Sequence, residues 1–287
     1  MTQASERTER KVTTRRVALE PTFEHVPRHF AGEGDLLGSH FVAALSALFP
    51  DGEDFFVRSV RHYRDQLTDP QLKRQVAGFI GQEAMHGREH RAFNERLDQL
   101  GYHSKFYESL VRRGLQLRSK LAPPIANLAL TAALEHFTAT MAELLLSSEE
   151  TRAQMGDQAV VDLFLWHALE ESEHKAVAFD VYRAVGGSER LRVATMKAIR
   201  IGFVFVVTAE VIGSLLSDPA TYKPGNLIRS WRRFRRSPIM QREIWRQLKE
   251  YDRRGFHPDD RDTTELIATW RERLFGPAGT MADKLVA

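Results

Sequence analysis

Cysteine is absent from the 287 residues. That excludes disulfides, thiolate zinc sites, cysteine-held iron–sulfur clusters and a cysteine nucleophile. Any metal must therefore be held by histidine and carboxylate. Long hydrophobic runs are missing too. The most apolar stretch, 201–216, contains Glu210 and falls short of the ~20 residues of a spanning helix. Charge of one sign is scarce: 41 Lys and Arg stand against 38 Asp and Glu, a net of +3, which argues against a nucleic-acid partner. With neither a disulfide framework nor an apolar secretory leader, the expected location is cytoplasmic. Proline and glycine are few, 11 and 18, and they sit where segments begin or end, as in a mostly helical chain.

Apolar residues make up 43% of the chain, ample for a core. Residues 1–20 are polar and basic and read as a disordered arm. Residues 21–187 read as a helical bundle. Its first long helix starts at Pro50-Asp51 and stops before Pro70. The second runs from Pro70 to Gly101, and a shorter one covers 104–119. The third follows Pro123-Pro124, and the fourth runs from Gly156-Asp157 to Gly186-Gly187. Residues 188–287 form a helical extension packing back on the bundle. Within it, 190–218 is a buried helix or tunnel wall, with a membrane-dipping helix as the alternative. RSWRRFRRS (229–237) is a solvated basic face or a contact for anionic lipid, so 190–236 is the region where peripheral membrane contact is expected.

Against this apolar background stands WHALEESEH, 166–174. His167, Glu171 and His174 lie at i, i+4 and i+7, on one helix face. Glu83 and His86 repeat the Glu-x-x-His spacing on the second helix. Glu135 interrupts the apolar face of the third, and Glu53 lies near the start of the first, with Asp54 as its alternative. One Glu from each of two helices and a Glu-x-x-His from each of the other two is the pattern of a dimetal carboxylate site in a helical bundle. Four carboxylates neutralise two divalent ions, and imidazole suits Fe, Mn or Zn. His167 can add a third imidazole. His90, one turn beyond His86, is expected in contact with the ligands or the substrate, and His136 and Asp180 as groups orienting ligating histidines. Glu89 and Glu173 read as solvated charges.

FPDGEDFF (49–56), FIGQEAMHGREH (79–90), ALEHFTAT (133–140), WHALEESEHKAVAFDVY (166–182) and GFHP (255–258) resemble a bacterial family labelled predicted metal-dependent hydrolase. That resemblance implies a metal site. The ligand pattern is also similar to the diiron aminoarene N-oxygenases of the ferritin-like group, which carry a third histidine one turn before the last Glu-x-x-His. This second resemblance covers only the four-helix core. It implies Glu53, Glu83, His86, Glu135, His167, Glu171 and His174 as ligands of two irons.

The expectation is thus an all-α, ferritin-like four-helix bundle with a dimetal core and extra C-terminal helices. Its expected function is an O2-activating oxygenase or oxidase acting on a hydrophobic small molecule, with two metal ions, Fe before Mn or Zn. An electron-donor protein and a homodimer are further expected partners. A metal-dependent hydrolase is the alternative, and metal storage or a scaffold the second. A channel lined by 190–218, with Phe205 in its wall, would admit the substrate.

Overall fold

The computed structural model describes residues 11–286. It is all-helical: no strand occurs among the described residues, and one isolated antiparallel bridge joins Val17 to Leu285. The α-helices are α1 (Leu36–Arg61), α2 (Pro70–Gln99), α3 (Ser104–Leu121), α4 (Pro124–Ser147), α5 (Glu149–Met155), α6 (Gln158–His174), α7 (Val177–Ala184), α8 (Glu189–Leu216), α9 (Asn226–Phe234), α10 (Arg242–Glu250) and α11 (Thr264–Phe275).

Two apolar clusters show how the main helices run. The first holds Val42 of α1, Phe93 and Leu97 of α2, Leu145 of α4 and Leu163 of α6. The second holds Phe55 of α1, Val76 and Phe79 of α2, Leu128 of α4 and Val181 of α7. Hence α1 runs from the first cluster to the second, α2 and α4 run from the second to the first, and α6–α7 return. Because α2 and α4 point the same way, a crossover must join them. It is α3, which packs on α1. Between the clusters, each of these four elements places buried polar residues where an apolar core would otherwise be continuous.

Local chemistry accounts for most of the boundaries. Asp35 caps α1 by accepting from Gly38 N, and Asp69 caps α2 from Gln71 N, with Pro70 at the first helical position. Pro50, expected as a helix start, instead lies inside α1, which begins well before it, at Leu36. A proline there cannot donate to the carbonyl four residues back. That carbonyl belongs to Ser46, and the Asn94 side chain supplies the missing donor at 3.0 Å. The expected fourth helix is divided at Lys175-Ala176, where Lys175 Nζ donates 2.6 Å to the Arg261 carbonyl.

Part of the N-terminal arm also differs from expectation. Residues 1–10 lie outside the described region, but 11–20 are packed, with Val17 and Leu19 buried. Gly78 and Gly81 make room on α2: a Cβ on either would stand 2.3 Å from Val12 O or 2.1 Å from Thr14 Oγ1. The strap also meets the other end of the chain. Ala18 N donates to Lys284 O, and Val286 N donates to Arg16 O. In the C-terminal segment α11 packs against α6 and α4, with Trp270 Nε1 donating 2.9 Å to the Leu146 carbonyl. Arg28, His29, His40, Ser214 and Asp218 form a separate network that ties α1 to the end of α8.

Candidate metal centre

Glu53 projects inward from α1, Glu83 and His86 from α2, Glu135 from α4, and His167, Glu171 and His174 from α6. All seven are buried. Asp54, the alternative to Glu53, points outward: it is 49% exposed against 2% and pairs with Arg91 at 2.6 Å. Donor atoms of Glu53, His86 and His167 lie within 4.8 Å of one another, and so do those of Glu83, Glu171 and His174. Glu171 Oε1 stands between the groups, 3.2 Å from His167 Nε2, 3.4 Å from His174 Nε2 and 3.8 Å from His86 Nδ1. Glu135 Oε2 is 3.4 Å from His174 Nε2.

Each of the three imidazoles is pinned through its other nitrogen. His86 Nε2 donates to Glu170 Oε2 at 3.1 Å, and His174 Nδ1 donates to Gln82 Oε1 at 2.9 Å. His167 Nδ1 and His90 Nε2 share a 2.8 Å hydrogen bond, whose direction follows from the residues behind it. Asn94 Nδ2 donates to the Ser46 carbonyl and to Glu108, so Asn94 Oδ1 accepts from Ser46 Oγ. Ser46 has then used its proton, and its oxygen accepts from His90 Nδ1. His90 Nε2 is left to accept from His167 Nδ1. In a neutral His167 ring that chain places the proton on Nδ1, so the Nε2 lone pair faces Glu171. His90 is a positioning residue, reached from Pro50 through Asn94 and Ser46.

The electrostatics describe a site short of cations. Burial, with Glu83 and Glu171 nearby, pushes the Glu53 carboxyl well above its ordinary range. Burial does the same to Glu135, again with Glu171 and Glu83 adding to it, and to Glu83, where His174 opposes the rise. Burial also disfavours the charged forms of Glu171 and His174, but their mutual attraction outweighs it. Glu171 is held well below the usual carboxylate range and His174 well above the usual imidazole range.

A buried polar group needs a partner. His174 Nε2 stands 3.0 Å from Glu83 Oε1, but neither of these atoms, nor the other oxygens of Glu53, Glu83 and Glu135, nor His86 Nδ1, makes a hydrogen bond of good geometry. Other buried atoms without a partner, such as Asn127 Oδ1 and Thr151 Oγ1, lie elsewhere, but these eight gather on five of the seven converging residues, and oxygen and imidazole nitrogen are donors suited to Fe, Mn or Zn. The residues therefore fit divalent metal. Gly87 contributes space, since a Cβ there would stand 3.2 Å from Glu53 Oε2.

Several surrounding residues depart from expectation. Glu89 and Glu173 are buried, not solvated. Glu89 accepts from Leu19 N at 2.9 Å. Glu173 is met by Arg15, Gln82 and Arg271. His136 faces the Gln247 carbonyl at 3.2 Å, and Asp180 is bonded to His257 at 2.8 Å. Neither is bonded to one of the three inward histidines; their partners come from the C-terminal segment. Glu170 was not anticipated at all. Burial pushes its carboxyl up to about 8 against the pull of Arg15, which donates to it at 2.9 Å. Its sequence signal is weak, one more Glu in LEESEH; the glycines at 78 and 81 are the better hint that a segment crosses there.

Arg15 thus reaches the centre through two carboxylates. Arg15→Ala leaves Glu170 without a cation, while Arg271 still answers Glu173. We expect a stability loss of about 3 kcal/mol and a roughly 10–100-fold loss of metal affinity. Denaturant titration and chelator competition measure the two. Unchanged affinity would reduce the strap to a cover.

An apolar cavity of about 130 Å3 ends at His167 and Glu171, walled by Phe49, Phe137, Met141, Ala142 and Phe164. Thr138, also on its wall, donates to Glu171 Oε2. A wider groove of about 500 Å3 adjoins it, sharing Phe41, Leu45, Phe137, Met141 and Phe203. Phe205, expected in the channel wall, points outward and is 73% exposed. The groove is lined along α8 from Phe203 to Leu215, with Val207, Val211 and Ile212 among the lining residues.

A family model described as predicted metal-dependent hydrolase matches residues 13–262. No curated protein and no solved structure matches the chain. The matched span includes all seven converging residues, the strap residue Arg15 and the pinning residues Gln82, His90 and Glu170. The chain belongs to the predicted metal-dependent hydrolase family.

Proposed function

We propose that the chain is a dinuclear metalloenzyme with a ferritin-like core, and that it hydrolyses an apolar small molecule. The observation that carries the metal reading is the set of buried, unpartnered carboxylate oxygens and imidazole nitrogens. The run of α1, α2, α4 and α6–α7, with a crossover between the middle two, matches what a ferritin-like carboxylate bundle requires. Glu53, His86 and His167 would hold one ion, and Glu83, Glu171 and His174 the other. Glu171 Oε1 is within 3.8 Å of imidazole nitrogens of both groups, and Glu135 would add a fourth carboxylate. Two divalent ions supply Lewis acidity and ease deprotonation of water. The chain's own residues do the rest. Thr138 orients Glu171, Glu170, Gln82 and His90 fix the imidazoles, and the apolar cavity admits the substrate while excluding bulk water.

Hydrolysis is the reaction named in the family's description. One observation favours a second reading, O2 activation by two irons. Beyond the seven residues, the described residues that line the cavity are all neutral, so none of them is an additional acid or base placed to protonate a leaving group. That reading requires an external electron donor.

The test loads the metal-free protein with Zn, Mn or Fe, counts the ions, and assays acyl esters and phosphoesters. Hydrolysis that tracks occupancy at two ions per chain supports the first reading. No hydrolysis, with the ferrous form oxidised rapidly by O2, moves the assignment to the second. Uptake of many ions per chain would mean storage, and uptake of none overturns all three.

A further inference from the structure

The wide groove opens beside a face that nothing among the described residues covers. On α8, Ile201, Phe205, Ile212 and Leu216 form one exposed stripe; Ile201 is 75% exposed and Phe205 73%. The other side of α8 packs on α1 and α4, and the groove borders the stripe itself, with Val204 and Ile212 among its lining residues. Glu210 is turned inward and buried, where burial raises its carboxyl to about 8. The stripe therefore presents no charge.

Next to it lies a cationic border. Residues 219–242 contain seven Lys and Arg and no Asp or Glu. Within α9, Ile228 and Trp231 are exposed, Trp231 by 51%. Together with Leu227, Arg232 and Arg235 they line a surface recess. Trp231 also lines the groove, which continues past Phe137 and Met141 to His167 and Glu171. An exposed aromatic and aliphatic face bordered by arginines has the chemistry of an interfacial helix: apolar groups enter the acyl boundary, and arginines meet anionic headgroups. The run 201–216 is shorter than a spanning helix, but it is continued by 189–200 into an α8 that is, by length and composition, long and apolar enough to cross a membrane; its packing on α1 and α4 nevertheless commits one side to protein. That fits lying at the interface and not spanning.

We propose that this face docks on an anionic lipid bilayer, and that the centre's substrate is an acyl or alkyl compound drawn from that bilayer through the groove. The substrate half rests on the metalloenzyme reading above; the docking half does not. Charge complementarity and the continuity of the exposed face with the groove favour a lipid surface over a second copy of the chain, since two copies would oppose their arginines.

The test is flotation of the full-length, metal-loaded protein with vesicles of phosphatidylcholine alone and of phosphatidylcholine mixed with phosphatidylglycerol, at two salt concentrations. We expect binding to the anionic vesicles only, weakened by salt. Arg232→Ala with Arg235→Ala should weaken it about 30-fold, at roughly fivefold per arginine. Bromine-labelled acyl chains should quench emission in the wild type and much less in Trp231→Phe. Both variants should keep two ions and an unchanged melting temperature, which separates this test from that of the metal centre. Equal binding to neutral vesicles, or none to either, overturns the proposal. So does a solution dimer broken by Ile228→Ser with Trp231→Ser, which would assign the face to a second copy.

Discussion

Loading the metal-free protein with two divalent ions should raise its melting temperature by about 10 °C, and Glu171→Ala should remove most of that rise. At a free concentration 100-fold above its dissociation constant, each ion stabilises the fold by about 2.7 kcal/mol. A chain of this size gains roughly 2 °C per kcal/mol. Glu171 is the informative position because one oxygen lies within 3.2–3.8 Å of all three inward imidazole nitrogens. Its removal weakens both ion positions at once. Elemental analysis should show fewer than one ion per chain in the variant. Asp54→Ala should keep two, because Asp54 faces solvent. A Glu171→Ala protein that retained two tightly bound ions would sink this ligand assignment.

Ala142→Phe should lower turnover at least 100-fold while both ions stay bound. Ala142 lies two turns beyond Glu135 on α4 and forms part of the cavity wall beside Met141 and Phe164. A phenyl ring fills space that the substrate needs, in a cavity of only about 130 Å3. Overpacking costs about 1–3 kcal/mol, which the melting temperature reports separately. Full activity in this variant would place substrate access elsewhere. Loss of activity together with loss of metal would make it a folding defect.

The candidate metal centre is legible in the sequence because helical periodicity is local. Glu83 and His86, or Glu171 and His174, are one turn apart wherever their helices begin, so an error in a boundary does not separate them. Pro50 shows the limit. Read as a start signal, it puts the beginning of α1 several turns too late, because the donor that makes an interior proline tolerable, Asn94, belongs to a different helix. Glu89, Glu170 and Glu173 are misjudged or missed for a related reason. A carboxylate in a polar helix reads as solvated until the segment that covers it is known, and that segment itself reads as disordered. The division between α6 and α7 carries no glycine or proline, and its anchor, the Arg261 carbonyl, is 86 residues distant. Nothing local assigns His136 and Asp180 their true partners, because residues near 247 and 257 fold back onto them.

The strap also sets a timetable for biosynthesis. Arg16 and Val286 are joined by a backbone hydrogen bond, and Val17 pairs with Leu285. Nearly the whole chain is synthesised between the first of these partners and the last. At about 5–20 residues per second, that takes on the order of tens of seconds. Through that interval the strap lacks its C-terminal anchor, and until α6 emerges Arg15 has neither Glu170 nor Glu173. The centre therefore passes through a stage in which its carboxylates are assembled but its cover is not clasped. On the metalloenzyme reading, that is the stage at which the donor atoms are least covered.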